Sequence, residues 1–268
     1  MAMSPYRVIA YNTAHASENK IHDDSVARRF GFTGALVPGV EVYAYMMHLP
    51  VERWGRAFLE RGAAECRFAA PVYDGETAEI AGVAEGEQGD AIGIEVTSQG
   101  TRCATGSAHL PAKSASPSPD TFPSGQPPSP EDRKEASETT LPVGGLLHAR
   151  PLPVDREYAS NYLKDVRETD GLYAREGLVH PGIVLRLCNM ALLQSVRMGP
   201  WIHVGSAVRN HGVAMVGQTL TANGRVTGNY ERKGHRFVEF DALVLADGVT
   251  PVASVRHTAI YRPRQAAG

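Results

Sequence analysis

Hydrophobic and polar positions change rhythm several times along this chain. From Gly39 to Leu49, the positions Val40, Val42, Tyr43, Ala44, Tyr45, Met46, Met47 and Leu49 surround a single charge, Glu41. A helix that is apolar nearly all round has to be covered on nearly every side. The pattern therefore predicts a buried helix closed by Pro50, with a second short helical turn from Val51 to Arg61. After Gly62 the texture becomes short segments rich in Val, Ile, Thr and Ala, at 65–72, 76–85, 91–99 and 102–110, set apart by Asp74-Gly75, Gly86 to Asp90 and Gly100. Such runs joined by turn residues predict an antiparallel sheet around the helix. Ahead of the helix, Val8 to Asn12 reads as a short strand and Ser25 to Phe30 as a short helix stopped near Gly31.

From Pro111 to Pro142 the rhythm is lost. Stretches such as Ser116-Pro-Ser-Pro-Asp and Ser124-Gly-Gln-Pro-Pro-Ser-Pro cannot bury enough apolar surface to fold alone and read as a linker. Beyond it the first pattern returns. Gly177-Leu-Val-His180-Pro181-Gly182 echoes Gly34-Ala-Leu-Val-Pro38-Gly39, Ile183 to Val196 is a second apolar helix, and Val216-Gly-Gln-Thr219 echoes Tyr73-Asp-Gly-Glu-Thr77. Strands are predicted at 221–227, 235–245 and 252–261. Two copies of one helix-and-sheet unit, neither able to close its own sheet edge, are expected to pair into one continuous sheet. The expected division is 1–112, a linker at 113–145, and 146–268.

Composition narrows the partner. The chain has 268 residues, 43% of them hydrophobic and 21% charged, which is ample for a core. A net charge of -2 with interspersed signs gives no reason to expect nucleic acid or an anionic membrane surface. Cys66, Cys103 and Cys188 are widely spaced and show no C-x-x-C, which fits a reducing compartment. The first 12 residues lack an apolar stretch after a basic start, and the apolar runs are too short and interrupted for a membrane span. A cytoplasmic protein with a small-molecule partner and no cofactor is expected, since neither metal-ligand spacing nor a glycine-rich phosphate loop occurs.

The candidate chemistry lies just before the first buried helix, in Ala16-Ser17-Glu18-Asn19-Lys20-Ile21-His22-Asp23-Asp24. His22 suits acid/base work near neutral pH, and the Asn19 amide can hold a water or a neighbouring ring. Pro38, Gly39 and Val40 lead into a helix whose first N–H groups have no internal partner and can face an oxygen that becomes negative. Alternatively, His22 and the two aspartates only cap the short helix, Asp24 being a good N-cap. In the second copy His180 is either a helix-start residue or part of the cleft, and Trp201 either lines a pocket or belongs to the core. His203, His211, His235 and His257 read rather as strand supports.

Ser17-x-Asn19-Lys20-Ile21-His22, followed by Ala27-x-x-x-Gly31-Phe32 and a Pro-Gly before a buried helix, resembles the MaoC-like family of enoyl-thioester hydratases and dehydratases. That family's signature is Asp-x-Asn-Pro-Ile-His, its Asp and His forming the catalytic pair and its Asn supporting the water. Asn19, Ile21 and His22 match; Lys20 stands in the place of Pro, and Ser17 in the place of the Asp. The resemblance implies an α+β double hot-dog, two repeats each with an antiparallel sheet wrapped around a central helix. It further implies action on a CoA or carrier-protein thioester, with His22, Asn19 and a nearby carboxylate activating water. Pro38, Gly39, Val40, His180 and Trp201 would hold the substrate. A serine is a poor proton acceptor, so Glu18, Asp23 or Asp24 would have to stand in, or His22 would work alone, or the site would bind a thioester without hydrating it. Thioester hydrolysis with Glu41 or Asp24 as base, and a purely structural partner of a catalytic hot-dog subunit, stay open, as does association of two such chains as a homodimer.

Overall fold

Residues 3–14, 19–22, 24–86, 90–113 and 115–264 are described by a computed structural model of the chain. The first half contains β1 (Tyr6–Ile9), a 3-10 turn (Lys20–His22), α1 (Asp24–Arg29), α2 (Gly39–Trp54) and α3 (Arg56–Arg61). Four strands follow: β2 (Ala63–Phe68), β3 (Thr77–Glu85), β4 (Ala91–Ser98) and β5 (Thr101–His109). The second half contains β6 (Leu146–His148), β7 (Leu152–Pro153), α4 (Arg156–Asp165), α5 (Leu172–Glu176) and α6 (Pro181–Ser195). It ends in β8 (Ile202–Asn210), β9 (Thr219–Arg232), β10 (His235–Ala246) and β11 (Thr250–Arg262).

All these strands join one antiparallel sheet in the order β1-β3-β4-β5-β2-β8-β11-β10-β9-β6, with β7 also on β9. The order reads the same outward from the middle: each half places its strands in corresponding sequence around the β2–β8 seam. There Ala63 pairs with Arg209 and Arg67 with Gly205, so each unit's open edge is closed by the other. Helices α2 and α6 pack against each other and share one hydrophobic core with the sheet. Met46, Met47, Leu49, Leu185, Leu187 and Leu192 have no exposed surface, which explains why both helices are apolar nearly all round.

Two sequence expectations are corrected here. Pro50 does not close the helix: α2 runs on to Trp54 and stops at Gly55, which takes φ 55° and donates its N–H to Val51 O at 2.7 Å. An interior proline costs roughly 3 kcal/mol, and burial of Leu49, Pro50 and Val51 offsets it. The second correction is one of register. Leu36 bridges Tyr73 as Leu178 bridges Met215, and Val37 N–H donates to Val72 O as Val179 N–H donates to Ala214 O, both at 2.9 Å. Leu36 thus corresponds to Leu178, Pro38 to His180, Gly39 to Pro181 and Val40 to Gly182. The Pro-Gly echo seen in the sequence is displaced by one residue.

Between β5 and β6 the described residues form one 3-10 turn, Pro119–Thr121, against β10, and add Ala136 and Leu141 to the core. No helix among the described residues is long and apolar enough to cross a membrane.

Candidate active site

A cleft of about 250 Å3 opens at the head of α2, between the loop carrying His22, the end of β2 and the start of β8. Its apolar walls include Phe32, Leu36, Val42, Phe68 and Val72, and no charged side chain lines it among the described residues.

His22 ends the 3-10 turn and is half-buried in this cleft. Its Nδ1–H donates to the Leu36 carbonyl at 2.7 Å, and an imidazole held in that tautomer carries its lone pair on Nε2. Asn19 Nδ2 donates to that nitrogen at 3.2 Å. Asn19 is itself buried, and its amide is doubly tied to the second repeat: Oδ1 accepts from Trp201 N–H at 3.2 Å and Nδ2 donates to Trp201 O at 3.1 Å. The amide thus pairs with the Trp201 backbone as a neighbouring strand would, and this fixes which end is oxygen. Asn12 supports the turn from behind, donating through Nδ2 to the His22 carbonyl at 3.1 Å.

Pro38 caps α2 without any side-chain bond, and its carbonyl accepts from Glu41 N–H at 2.9 Å and Val42 N–H at 3.2 Å. The N–H groups of Gly39 and Val40 therefore start the helix without an intrahelical acceptor, at the positive end of its dipole. In the second repeat the same place is plugged. Pro181 has no N–H, and the Gly182 N–H is taken by His180 Nδ1 at 3.0 Å. The cavity there, lined by Val179, Pro181, Val184 and Val213, measures about 20 Å3, too small for an acyl group.

The expected site residues therefore separate. His22, Asn19, Pro38, Gly39 and Trp201 all line the cleft. The Val40 side chain is buried in the core, leaving its N–H as its contribution. His180 is corrected: it is 1% exposed and lies in the second repeat's plugged counterpart, among Tyr162, Tyr173 and Glu168. Glu41 is corrected as a hydrolytic base, because it is buried and saturated by Arg186, Tyr162 and Thr13 rather than lining the cleft. Ser17, Glu18 and Asp23, and the side chain of Asp24, lie outside the described residues; Asp24 itself opens α1.

Two residues of the cleft wall escaped the sequence reading. Asn189 projects from α6, and His203, read as a strand support, faces the head of α2 from β8. His203 Nε2 lies 2.9 Å from Ser206 Oγ, which lies 3.0 Å from His257 Nδ1, and the two imidazoles stack at 4.1 Å. Burial pushes His203 down to about 3 and His257 well below its ordinary value, so both rings are neutral at physiological pH. The link from His203 through Ser206 to His257 spans 54 positions and forms only when β8 meets β11, so no local motif announces it.

No family model matches the chain, and no curated protein sequence matches it. Solved structures do. A protein assigned as a MaoC-domain dehydratase from Chloroflexus aurantiacus is 12% identical with a TM-score of 0.63, the match covering 97% of this chain and 93% of that one. A conserved hypothetical protein from Mycobacterium tuberculosis with a double hot-dog fold is 11% identical with a TM-score of 0.64, covering 97% and 95%. A protein assigned as a thioesterase from Novosphingobium aromaticivorans is 13% identical with a TM-score of 0.51, covering 85% and 88%. At these identities the likeness is one of fold: the chain is an α+β double hot-dog.

Proposed function

We propose that this double hot-dog chain is a hydratase or dehydratase of the MaoC type, acting on a 2-enoyl or 3-hydroxyacyl thioester of CoA or a carrier protein. The observation that carries the reading is the meeting, in one apolar cleft, of an imidazole with a fixed tautomer and a helix start whose first two N–H groups are unclaimed among the described residues.

In the hydration direction the thioester oxygen lies on the N–H groups of Gly39 and Val40, which draws electron density away from the β-carbon. His22 Nε2 takes a proton from water as the water oxygen bonds to the β-carbon. The π electrons move toward the thioester oxygen, giving an enolate held at the helix head. Collapse of the enolate takes the proton from His22 to the α-carbon, so that H and OH have been added across the double bond. The Nδ1–H bond to Leu36 holds the ring in the basic tautomer and stabilises the imidazolium formed in between. For this the water must replace Asn19 at Nε2. Asn19 stays fixed on Trp201 while the water enters between it and the imidazole, so the amide hydrogen that met Nε2 is donated to the water oxygen. The apolar wall takes the acyl chain. Dehydration is the reverse.

Hydrolysis is also at home in this fold, but of its two expected bases Glu41 is locked to Arg186, and the side chain of Asp24 lies outside the described residues. Incubating the purified protein with crotonyl-CoA separates the alternatives. Loss of the conjugated double bond without free thiol supports the proposal, thiol release alone supports hydrolysis, and neither change leaves a thioester-binding protein or a purely structural partner.

A further inference from the structure

Among the described residues, three buried polar atoms on the second repeat's side of the cleft have no hydrogen-bond partner: His203 Nδ1, Trp201 Nε1 and Asn189 Oδ1. Leaving such groups dry costs roughly 1–3 kcal/mol each, so a wall that keeps three of them is shaped for a polar guest. His203 Nδ1 lies nearest the helix head, 2.9 Å from the point a Cβ on Gly39 would occupy. Only a glycine admits the ring this close to the first N–H groups of α2.

Ser206 decides what His203 offers there. Its hydroxyl has one hydrogen and stands between His203 Nε2 and His257 Nδ1. In one setting, His257 Nδ1–H donates to Ser206, Ser206 donates to His203 Nε2, and His203 presents Nδ1–H to the cleft. In the other, every proton is reversed, and His257 is left with an Nε2–H that is fully buried and without partner. His203 Nδ1 is as shielded as His257 Nε2, but its residue lines the cleft, so a ligand oxygen satisfies it once the wall yields, whereas His257 has no such neighbour. A bound carbonyl therefore selects the first setting.

We infer that His203 is a further catalytic residue: it donates Nδ1–H to the thioester oxygen and completes, with the N–H groups of Gly39 and Val40, the site where negative charge collects. Ser206 and His257 are positioning residues that hold its tautomer. The inference rests on the thioester reading above and adds a donor from the other repeat. His203 remains neutral throughout, giving and taking no proton.

The test compares wild type with His203→Leu, His203→Asn and Ser206→Ala for crotonyl-CoA hydration, and follows imidazole nitrogens by NMR in 15N-histidine-labelled protein with and without acetyl-CoA. The expected result is a fall in kcat of about 100-fold in His203→Leu, the usual loss for one oxyanion donor, with KM changed much less. His203→Asn, whose amide reaches the position of Nδ1, is expected to recover part of the rate, and Ser206→Ala to lower kcat while keeping KM. Acetyl-CoA is expected to leave His203 protonated at Nδ1. An unaltered kcat in His203→Leu overturns the inference while the hydratase reading stands. A lone pair on Nδ1 in the acetyl-CoA complex overturns it equally, and so does a failure to bind acetyl-CoA, which also removes the thioester reading. A protein that never hydrates crotonyl-CoA but protonates His203 Nδ1 on binding acetyl-CoA loses only the hydratase reading.

Discussion

Glu41 Oε1 accepts hydrogen bonds from both Nη2 and Nε of Arg186, at 2.5 Å and 3.1 Å, and so ties the first turn of α2 to the middle of α6. Tyr162 Oη and Thr13 Oγ1 donate to the same carboxylate, each at 3.0 Å. Arg186 also lies over the Tyr162 ring at 4.5 Å. A carboxylate 1% exposed is tolerable only with such a set of donors, and its place in the first turn of α2 adds the helix dipole. Arg186→Met is accordingly expected to cost about 3 kcal/mol, because it strands a buried charge. Adding Glu41→Gln to that variant should recover part of the loss, as read from urea unfolding midpoints.

His22→Ala removes the proposed base without touching the core. Turnover of crotonyl-CoA is expected to drop by roughly 100- to 10,000-fold with the thermal midpoint nearly unchanged. Asn19→Ala should differ in kind. It leaves both the N–H and the carbonyl of Trp201 unpaired, so it is expected to lower stability by about 2 kcal/mol as well as turnover. Differential scanning calorimetry beside the rate assay separates the two signatures.

Gly39→Ala tests how tightly the cleft is built at the helix head. The added methyl would lie 2.9 Å from His203 Nδ1 and 3.1 Å from Phe68 Cε2, so both rings have to yield by a few tenths of an ångström. Alanine suits a first helical turn, so folding should be preserved while kcat/KM for an enoyl thioester falls. Gly182→Ala, its near neighbour in the second repeat, would meet Tyr162 Oη at a clashing distance and the Ala44 methyl at 2.8 Å in closed core. It is expected to destabilise by about 1–3 kcal/mol through overpacking, with unfolding midpoints as the measure for both.

The cluster around Glu168 sets an expectation for pH. Glu168 accepts from the Thr169 and Asp170 N–H groups at 2.7 Å and 2.6 Å, and its Oε1 lies 2.8 Å from His48 Nδ1. His180 Nε2 stands farther off, 3.6 Å from Oε2. Burial alone would raise the carboxyl, but these imidazoles and N–H groups outweigh it and hold Glu168 well below its ordinary 4.5. For His48, burial alone would lower it, but Glu168 outweighs that and holds it above 6.5. A depressed acid contributes stability above its unfolded value and loses it as pH falls; a raised imidazole contributes below its unfolded value and loses it as pH rises. The cluster therefore contributes most between pH 4.5 and 6.5. Glu168→Gln should flatten the decline in stability on either side, as read from unfolding free energies at pH 3, 5.5 and 8.5.

Much of the architecture was legible because its signals are local. The strands of the first half fell within a few residues of β2 to β5, where alternation is regular and turns carry Asp-Gly or Gly. Strand β8 was missed because it is the seam strand: its burial does not alternate cleanly, and Gly205 and Ser206 interrupt the β-branched run. Helix α4 had a local signal, Asp155 accepting from Tyr158 N–H as an N-cap, but its sparse apolar positions drew no prediction of an element there. At the site, Asn19 and His22 were legible as a motif and Gly39 as a helix start. Asn189 and His203 were not, since their meaning comes from a contact between repeats, which no spacing along the chain encodes.

The unlike helix starts have a consequence for descent. In an association of two identical subunits, one codon writes both symmetry-related positions, so a glycine that opens one cradle opens the other. Here the two are written separately, as Gly39 and Pro181, and selection can keep one cradle reactive while turning its twin into scaffold. A covalent tandem can thus hold a lopsided division of labour that no symmetric pair could inherit.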